Sequence, residues 1–161
     1  MPEVFSNTTP LQYLHRLGKL DWLRIFYGSV TVPGAVAAEL EVGRKLRANV
    51  PEIREVPWIF VKPMDGPPGV FPKDIHRGEA ELLTLTLGLG SGDALLIIDD
   101  GPARTHARAL GMRFTGTLGI VLRAKREGLC TLVAPLLESL QREGFRIAPA
   151  TFAEVLRLAG E

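Results

Sequence analysis

Two kinds of apolar spacing alternate along the chain. Residues 3–6 form a short strand-like run that ends at Asn7. Pro10 follows, where its missing N–H costs a starting helix nothing, and Leu11, Leu14 and Leu17 make a helical stripe closed by Gly18. Leu20, Leu23 and Phe26 form the apolar side of a second short helix over 21–26, broken at Gly28. Residues 29–32 are β-branched enough for a strand. Pro33 opens a helix whose face carries Val36 and Leu40, with Glu39 beside them. The stretch 43–57 has no decisive period. Residues 58–61 read as a third strand, and 63–72, with four prolines and two glycines, as a loop inside the domain.

The second half is more regular. A strong helix is predicted over 77–87, with Glu79 in its first turn and Gly88, Gly90 and Gly92 ending it. Residues 94–98 are a continuous apolar run, as a strand buried on both faces requires, and Asp99 and Asp100 follow at its carboxyl end. A helix over 102–110, a strand over 112–115 and a helix over 116–126 come next. Two amphipathic helices, 133–142 and 150–158, close the chain, with Gly144 between them. Strands alternating with helices predict an α/β fold with a doubly wound parallel sheet. Such sheets bind ligands outside the carboxyl ends of their strands. Asn7 and the Asp99–Asp100 pair both sit at such ends.

Composition narrows the picture a little. A chain of 161 residues, 46% hydrophobic and 23% charged, predicts one folded domain over 1–161 and excludes disorder. The net charge of +1 predicts no nucleic-acid partner from the whole-molecule field, so any such partner needs a local patch. Cys130 is the only cysteine, which rules out an intrachain disulfide and a zinc cluster. His15, His76 and His106 have no metal spacing. No apolar run approaches the ~18 residues of a membrane span, and the N-terminus does not read as a signal peptide. A cytoplasmic protein with no membrane partner is expected.

The candidate chemistry lies in acidic or amide residues placed at strand ends and helix starts: Asn7, Glu39, Glu79, Asp99 and Asp100. Carboxylates gathered on one sheet edge suit a hard divalent cation, Mg²⁺ or Mn²⁺, and such an ion drives phosphodiester cleavage. Each residue also has a plain structural role open to it. Asn7 suits a turn or an N-cap, Glu39 a solvent-facing helix position, and Glu79 the first-turn dipole. One of Asp99 and Asp100 should cap the next helix. Glu81 points to another side and reads as first-turn dipole chemistry alone. Arg104 and Arg108, four apart, share a helix face suited either to a phosphate backbone or to acids and water. No phosphate-binding glycine loop and no Ser-His-Asp order is present.

Several segments, in order, resemble the PIN-domain family. They are Ser6-Asn7-Thr8-Thr9-Pro10-Leu11, Val32-Pro33 with Val36 and Glu39-Leu40, Gly78-Glu79-Ala80-Glu81, Ile98-Asp99-Asp100 with Ala103-Arg104, and Thr115-Gly116-Thr117-Leu118-Gly119. The likeness is to a prokaryotic branch related to VapC-type toxins. It implies a three-layer α/β/α fold with a mainly parallel sheet of about five strands, and Mg²⁺- or Mn²⁺-dependent ribonuclease chemistry. It places the family's first acid at Asn7, the second at Glu39, the third at Glu79 and the fourth at Asp99 or Asp100, with spacing favouring Asp100 as the metal ligand. Thr8 and Thr9 take the hydroxyl positions that support the first acid. The likeness also implies an RNA substrate, a homodimer and a small antitoxin partner. Asn7 departs from the pattern, because an amide ligates Mg²⁺ without charge and cannot act as a base. A catalytically weak or inert module that binds RNA or a protein is therefore the alternative, and a purely structural partner domain a third.

Overall fold

The computed structural model describes residues 2–90 and 92–161. Five strands form one sheet: β1 (Glu3–Ser6), β2 (Val30–Pro33), β3 (Ile59–Lys62), β4 (Ala94–Ile97) and β5 (Arg113–Thr115). Their spatial order is β3-β2-β1-β4-β5, and every pairing is parallel. Eight α-helices are seen among the described residues: α1 (Thr8–Arg16), α2 (Asp21–Tyr27), α3 (Gly34–Lys45), α4 (Arg77–Leu87), α5 (Gly101–Ala109), α6 (Thr117–Arg126), α7 (Ala134–Arg142) and α8 (Pro149–Ala159). None is long and apolar enough to cross a membrane.

Alternation along the strands divides the core into two layers. In β1, Val4 joins one apolar cluster and Phe5 the other. The run from 94 to 98 does the same: Ala94, Leu96 and Ile98 face the second cluster, while Ile97 faces the first. That is why the run has no polar positions, since both faces of the strand are covered. The first cluster is filled by α1, α2, α3 and α6 to α8, through residues such as Leu14, Leu23, Val36, Ile120, Leu137 and Val155. The second is filled by α4 and α5, through Leu82, Leu83, Ala103 and Ala107. The sheet thus lies between two helical layers, a three-layer α/β/α arrangement. Each fully buried leucine adds roughly 2 kcal/mol of apolar burial.

The expected elements are all present, most displaced by only a residue or two. α1 begins at Thr8, before Pro10, because Asn7 takes the extended N-cap conformation at φ −83° and ψ 175°. The undecided stretch 43–57 holds the end of α3 and a 3₁₀ turn at Ile53–Glu55. Gly111, at φ 70°, lets the chain leave α5 in the left-handed conformation and return directly into β5.

The chain winds outward from β1 through β2 to β3, then crosses back to place β4 on the other side of β1. The strand order therefore reverses between β1 and β4. Ser6 pairs with Ile97 there, and the Asn7 N–H donates to the Ile97 carbonyl at 3.1 Å. Asn7 and Asp99 leave the sheet from neighbouring strands at this switch point, where the crevice of a doubly wound fold opens.

Candidate active site

Asn7 stands at the N-cap of α1, yet its side chain makes no capping bond. Its amide Nδ2 instead donates to Glu79 Oε1 at 2.6 Å, across 72 residues of chain. Both side chains are buried. An aspartate at position 7 could not make this bond while ionised, since it has no proton to donate. Thr8, next on α1, donates its hydroxyl to Glu39 Oε2 at 2.9 Å. Two bonds from adjacent residues after β1 thus fix the carboxylates of α4 and α3.

Gly78 explains how the two carboxylates come close. A β-carbon placed on it would lie 2.8 Å from Glu39 Oε1, 3.2 Å from Asn7 Oδ1 and 3.3 Å from Val36 Cγ2. Those two oxygens therefore belong to one cluster, and only a glycine at the start of α4 leaves them room. Thr8 and Glu39 also wall a cavity of about 700 Å³ that runs between α1 and α3, with Gln12, Val42, Leu46, Arg77 and Glu81 among its other lining residues.

The aspartate pair separates into two roles. Asp100 Oδ2 accepts the Ala103 N–H at 2.9 Å and so caps α5. Asp99 faces the start of α6: its Oδ1 accepts the Thr117 N–H at 2.8 Å and its Oδ2 the Thr117 hydroxyl at 2.6 Å. Burial pushes the Asp99 carboxyl above its ordinary range, opposed by the two Thr117 bonds and by the nearby Arg104 charge. Gly116 makes this junction possible. A β-carbon there would collide with Arg104 Nη2 and Asp99 Oδ1 and lie 3.0 Å from the Ile98 carbonyl.

Arg104 is anchored by its Nε, which donates to the Ile98 carbonyl at 2.8 Å. Its guanidinium carbon and that of Arg108 lie 5.4 and 5.3 Å from the centre of the Phe114 ring. Among the described residues neither arginine forms a close ion pair, although the Arg104 charge lies near Asp99.

The structure thus brings Asn7, Thr8, Glu39 and Glu79 together. Thr9 sits half-buried after Thr8 on α1. Among the described residues no three His, Cys, Asp or Glu side chains come close enough to hold an ion. The expected pocket of three or four carboxylates is absent in that form, because Asp99 is turned onto Thr117 and Asp100 onto Ala103. The cluster is two carboxylates with an amide between them. That donor set still suits a hard cation such as Mg²⁺, which binds oxygen and keeps most of its own waters. The Asn7 amide proton meets the Glu79 charge that a carboxylate at position 7 would repel.

The model of a PIN-domain family, DUF3368, matches residues 3–161 of the chain. The chain belongs to the PIN-domain family. No curated protein matches it by sequence. PIN domains fall generally in a nuclease superfamily whose members use divalent metal ions and bind RNA. The matched span takes in every residue of the cluster, and the five-stranded parallel sheet with helices on both faces is the architecture the likeness implied.

Two further residues make contacts near the cluster that their positions in the sequence do not announce. Glu81 was assigned only to the dipole of its own helix, but its Oε2 accepts the Ala35 N–H of α3 at 2.7 Å. The signal for it was Pro33, which opens α3 without a side chain able to cap it. Thr117 belongs to the 115–119 segment of the family likeness and to a predicted helix, but neither assigns it a role. A threonine directly after Gly116, at the start of a helix that faces the Asp pair, was the available clue.

Proposed function

We propose that this PIN domain is a metal-dependent ribonuclease that hydrolyses RNA phosphodiester bonds. The observation that carries this reading is the meeting of Asn7, Glu39 and Glu79 around Gly78 at the switch-point edge of the sheet. Glu39, Glu79 and the Asn7 amide oxygen would hold Mg²⁺ or Mn²⁺, with Asp100 the further ligand the family likeness suggests. What a divalent cation supplies there is Lewis acidity toward water and toward the phosphoryl oxygens. The chain's own groups do the rest. Thr8 holds Glu39 in place, Asn7 orients without taking a proton, and Glu39 or Glu79 is the carboxylate able to accept one from the attacking water. Arg104 and Arg108 would hold the RNA backbone, Arg104 with its Nε already spent on the Ile98 carbonyl.

The same reading makes the chain a cytoplasmic toxin, homodimeric and silenced by a small antitoxin protein. It rests on the family likeness alone. Cleavage of RNA in Mn²⁺ by the wild type, and its loss in Glu79→Gln and Glu39→Gln, is the expected result. Mutants that cleave as well as the wild type would refute the assignment. Sedimentation at micromolar concentration tests the homodimer.

A second reading is an inert PIN module that binds RNA or a protein partner. The Asn7–Glu79 bond favours it, because the amide satisfies the acid without a metal. Calorimetric titration with Mn²⁺ separates the two. Clear heat with about one ion per chain supports the nuclease, and an absence of heat supports the inert module.

A further inference from the structure

α3 begins in an unusual way. Its N-cap is Pro33, which has no side-chain oxygen, and no side chain of its own caps it. The first turn of a helix carries N–H groups without intrahelical partners, and one of them, Ala35 N–H, points at a carboxylate from another helix. Glu81 Oε2 accepts it at 2.7 Å. Glu81 is 4% exposed, and a carboxylate so buried is stable only with donors to meet its charge. Its other oxygen has Arg77 Nε at 3.4 Å, a long contact from a side chain that is 76% exposed. The short bond to Ala35 is therefore the main anchor, and the positive end of the α3 dipole lies in the same direction. Glu81 does perform helix-dipole chemistry, but for α3 and not for its own helix.

Ala35 and Glu39 are four residues apart, so they stack on one face of α3, with the Glu39 side chain leaning back toward the N-terminus. We infer that Glu81 is a positioning residue of the active site: by capping α3 from α4 it fixes the turn that delivers Glu39 to Thr8 and to the space above Gly78. α4 then controls the cluster three times. Gly78 makes room, Glu79 supplies one carboxylate, and Glu81 sets the position of the other. The part of this inference that concerns the ion rests on the metal reading above.

The test is made on the full chain with Glu81→Ala and Glu81→Gln, reading amide hydrogen exchange at Ala35 and Val36 and the Kd for Mn²⁺ alone. Glutamine keeps an acceptor, so it should leave Ala35 exchange and Mn²⁺ affinity within about twofold of wild type, as a retained cap implies. Alanine should speed exchange at the two amides about fivefold, the effect of losing a cap. It should also weaken Mn²⁺ binding about tenfold, the scale of losing a group that orients a ligand. Unchanged exchange in Glu81→Ala overturns the capping role. Faster exchange with an unchanged Kd overturns the positioning role and makes Glu81 merely structural. A wild type that takes no Mn²⁺ overturns the metal reading instead, and Ala35 exchange alone then decides whether Glu81 holds α3.

Discussion

Restoring an acid at position 7 tests the physical logic of the site most directly. In the native chain Asn7 Nδ2 donates to Glu79 Oε1 at 2.6 Å inside a buried cluster. Asn7→Asp removes that bond, worth roughly 1.5–3 kcal/mol for a charged partner. It also sets two carboxylates side by side, and like charges ~4 Å apart repel by about 4 kcal/mol at an effective dielectric near 20. Proton uptake limits the penalty, because holding one carboxyl protonated at pH 7 costs about 4 kcal/mol from an ordinary glutamate value. The metal-free variant should therefore lose about 3–4 kcal/mol at pH 7, or roughly 10 °C in Tm for a chain of this size. The deficit should shrink steadily as pH falls from 7, because the cost of holding that proton falls with it. A divalent cation reverses the sign by accepting the extra charge. The Kd for Mn²⁺ should improve at least tenfold, a gain of about 1.4 kcal/mol. Urea unfolding with and without Mn²⁺, together with calorimetric titration, gives both quantities. A variant as stable as the wild type in chelator, with the same Kd for Mn²⁺, would show that Asn7 and Glu79 do not face one another and that no ion sits between them.

Three further outcomes follow from the same geometry. Gly78→Ala puts a methyl group 2.8 Å from the flexible end of Glu39, so Glu39 should swing away. Mn²⁺ binding should fall steeply while stability, helped by the better helix former, stays within about 1 kcal/mol. Equal losses of both would refute the local account. Gly116→Ala meets Arg104, Asp99 and the rigid Ile98 carbonyl together, and overpacking of that kind should cost about 1–3 kcal/mol in urea unfolding. At the far end of the chain, Glu161 accepts the Val133 N–H at 2.7 Å and the Lys125 amine at 3.0 Å, and these bonds hold its carboxyl below the ordinary value of 4.5. A group depressed by folding stabilises above its unfolded pKa and loses that contribution as pH falls through the folded one. Wild type should thus exceed Glu161→Gln in stability above pH 4.5 and converge with it on acidification, as followed by thermal melts across pH 3 to 7. A gap that persists at pH 3 would contradict the linkage.

Much of the scaffold was legible because its rules are local. The unbroken apolar run at 94–98 demanded cover on both faces, and the structure gives each face its own cluster. The helix over Arg77–Leu87 was readable to the residue, since its stripe and its closing glycines agreed. Boundaries slipped where two signals met, as at Pro10, which marks a first turn but not which residue opens it. The division of labour between Asp99 and Asp100 was not legible. Both follow a buried strand, and only the approach of α6 assigns Thr117 to Asp99 and leaves Asp100 to cap α5.

The chain by itself determined the alternation of strands and helices, the parallel sheet, and which polar residues fall at strand ends, because period and turn chemistry act over a few residues. Tertiary structure decided the partners. That Asn7 gives its proton to Glu79, that Thr8 holds Glu39 and that Glu81 caps a helix other than its own depend on strands and helices far apart in sequence. Hydrogen bonds reach about 3 Å, and spacing along the chain does not encode which distant groups will fall within that reach once the core has packed.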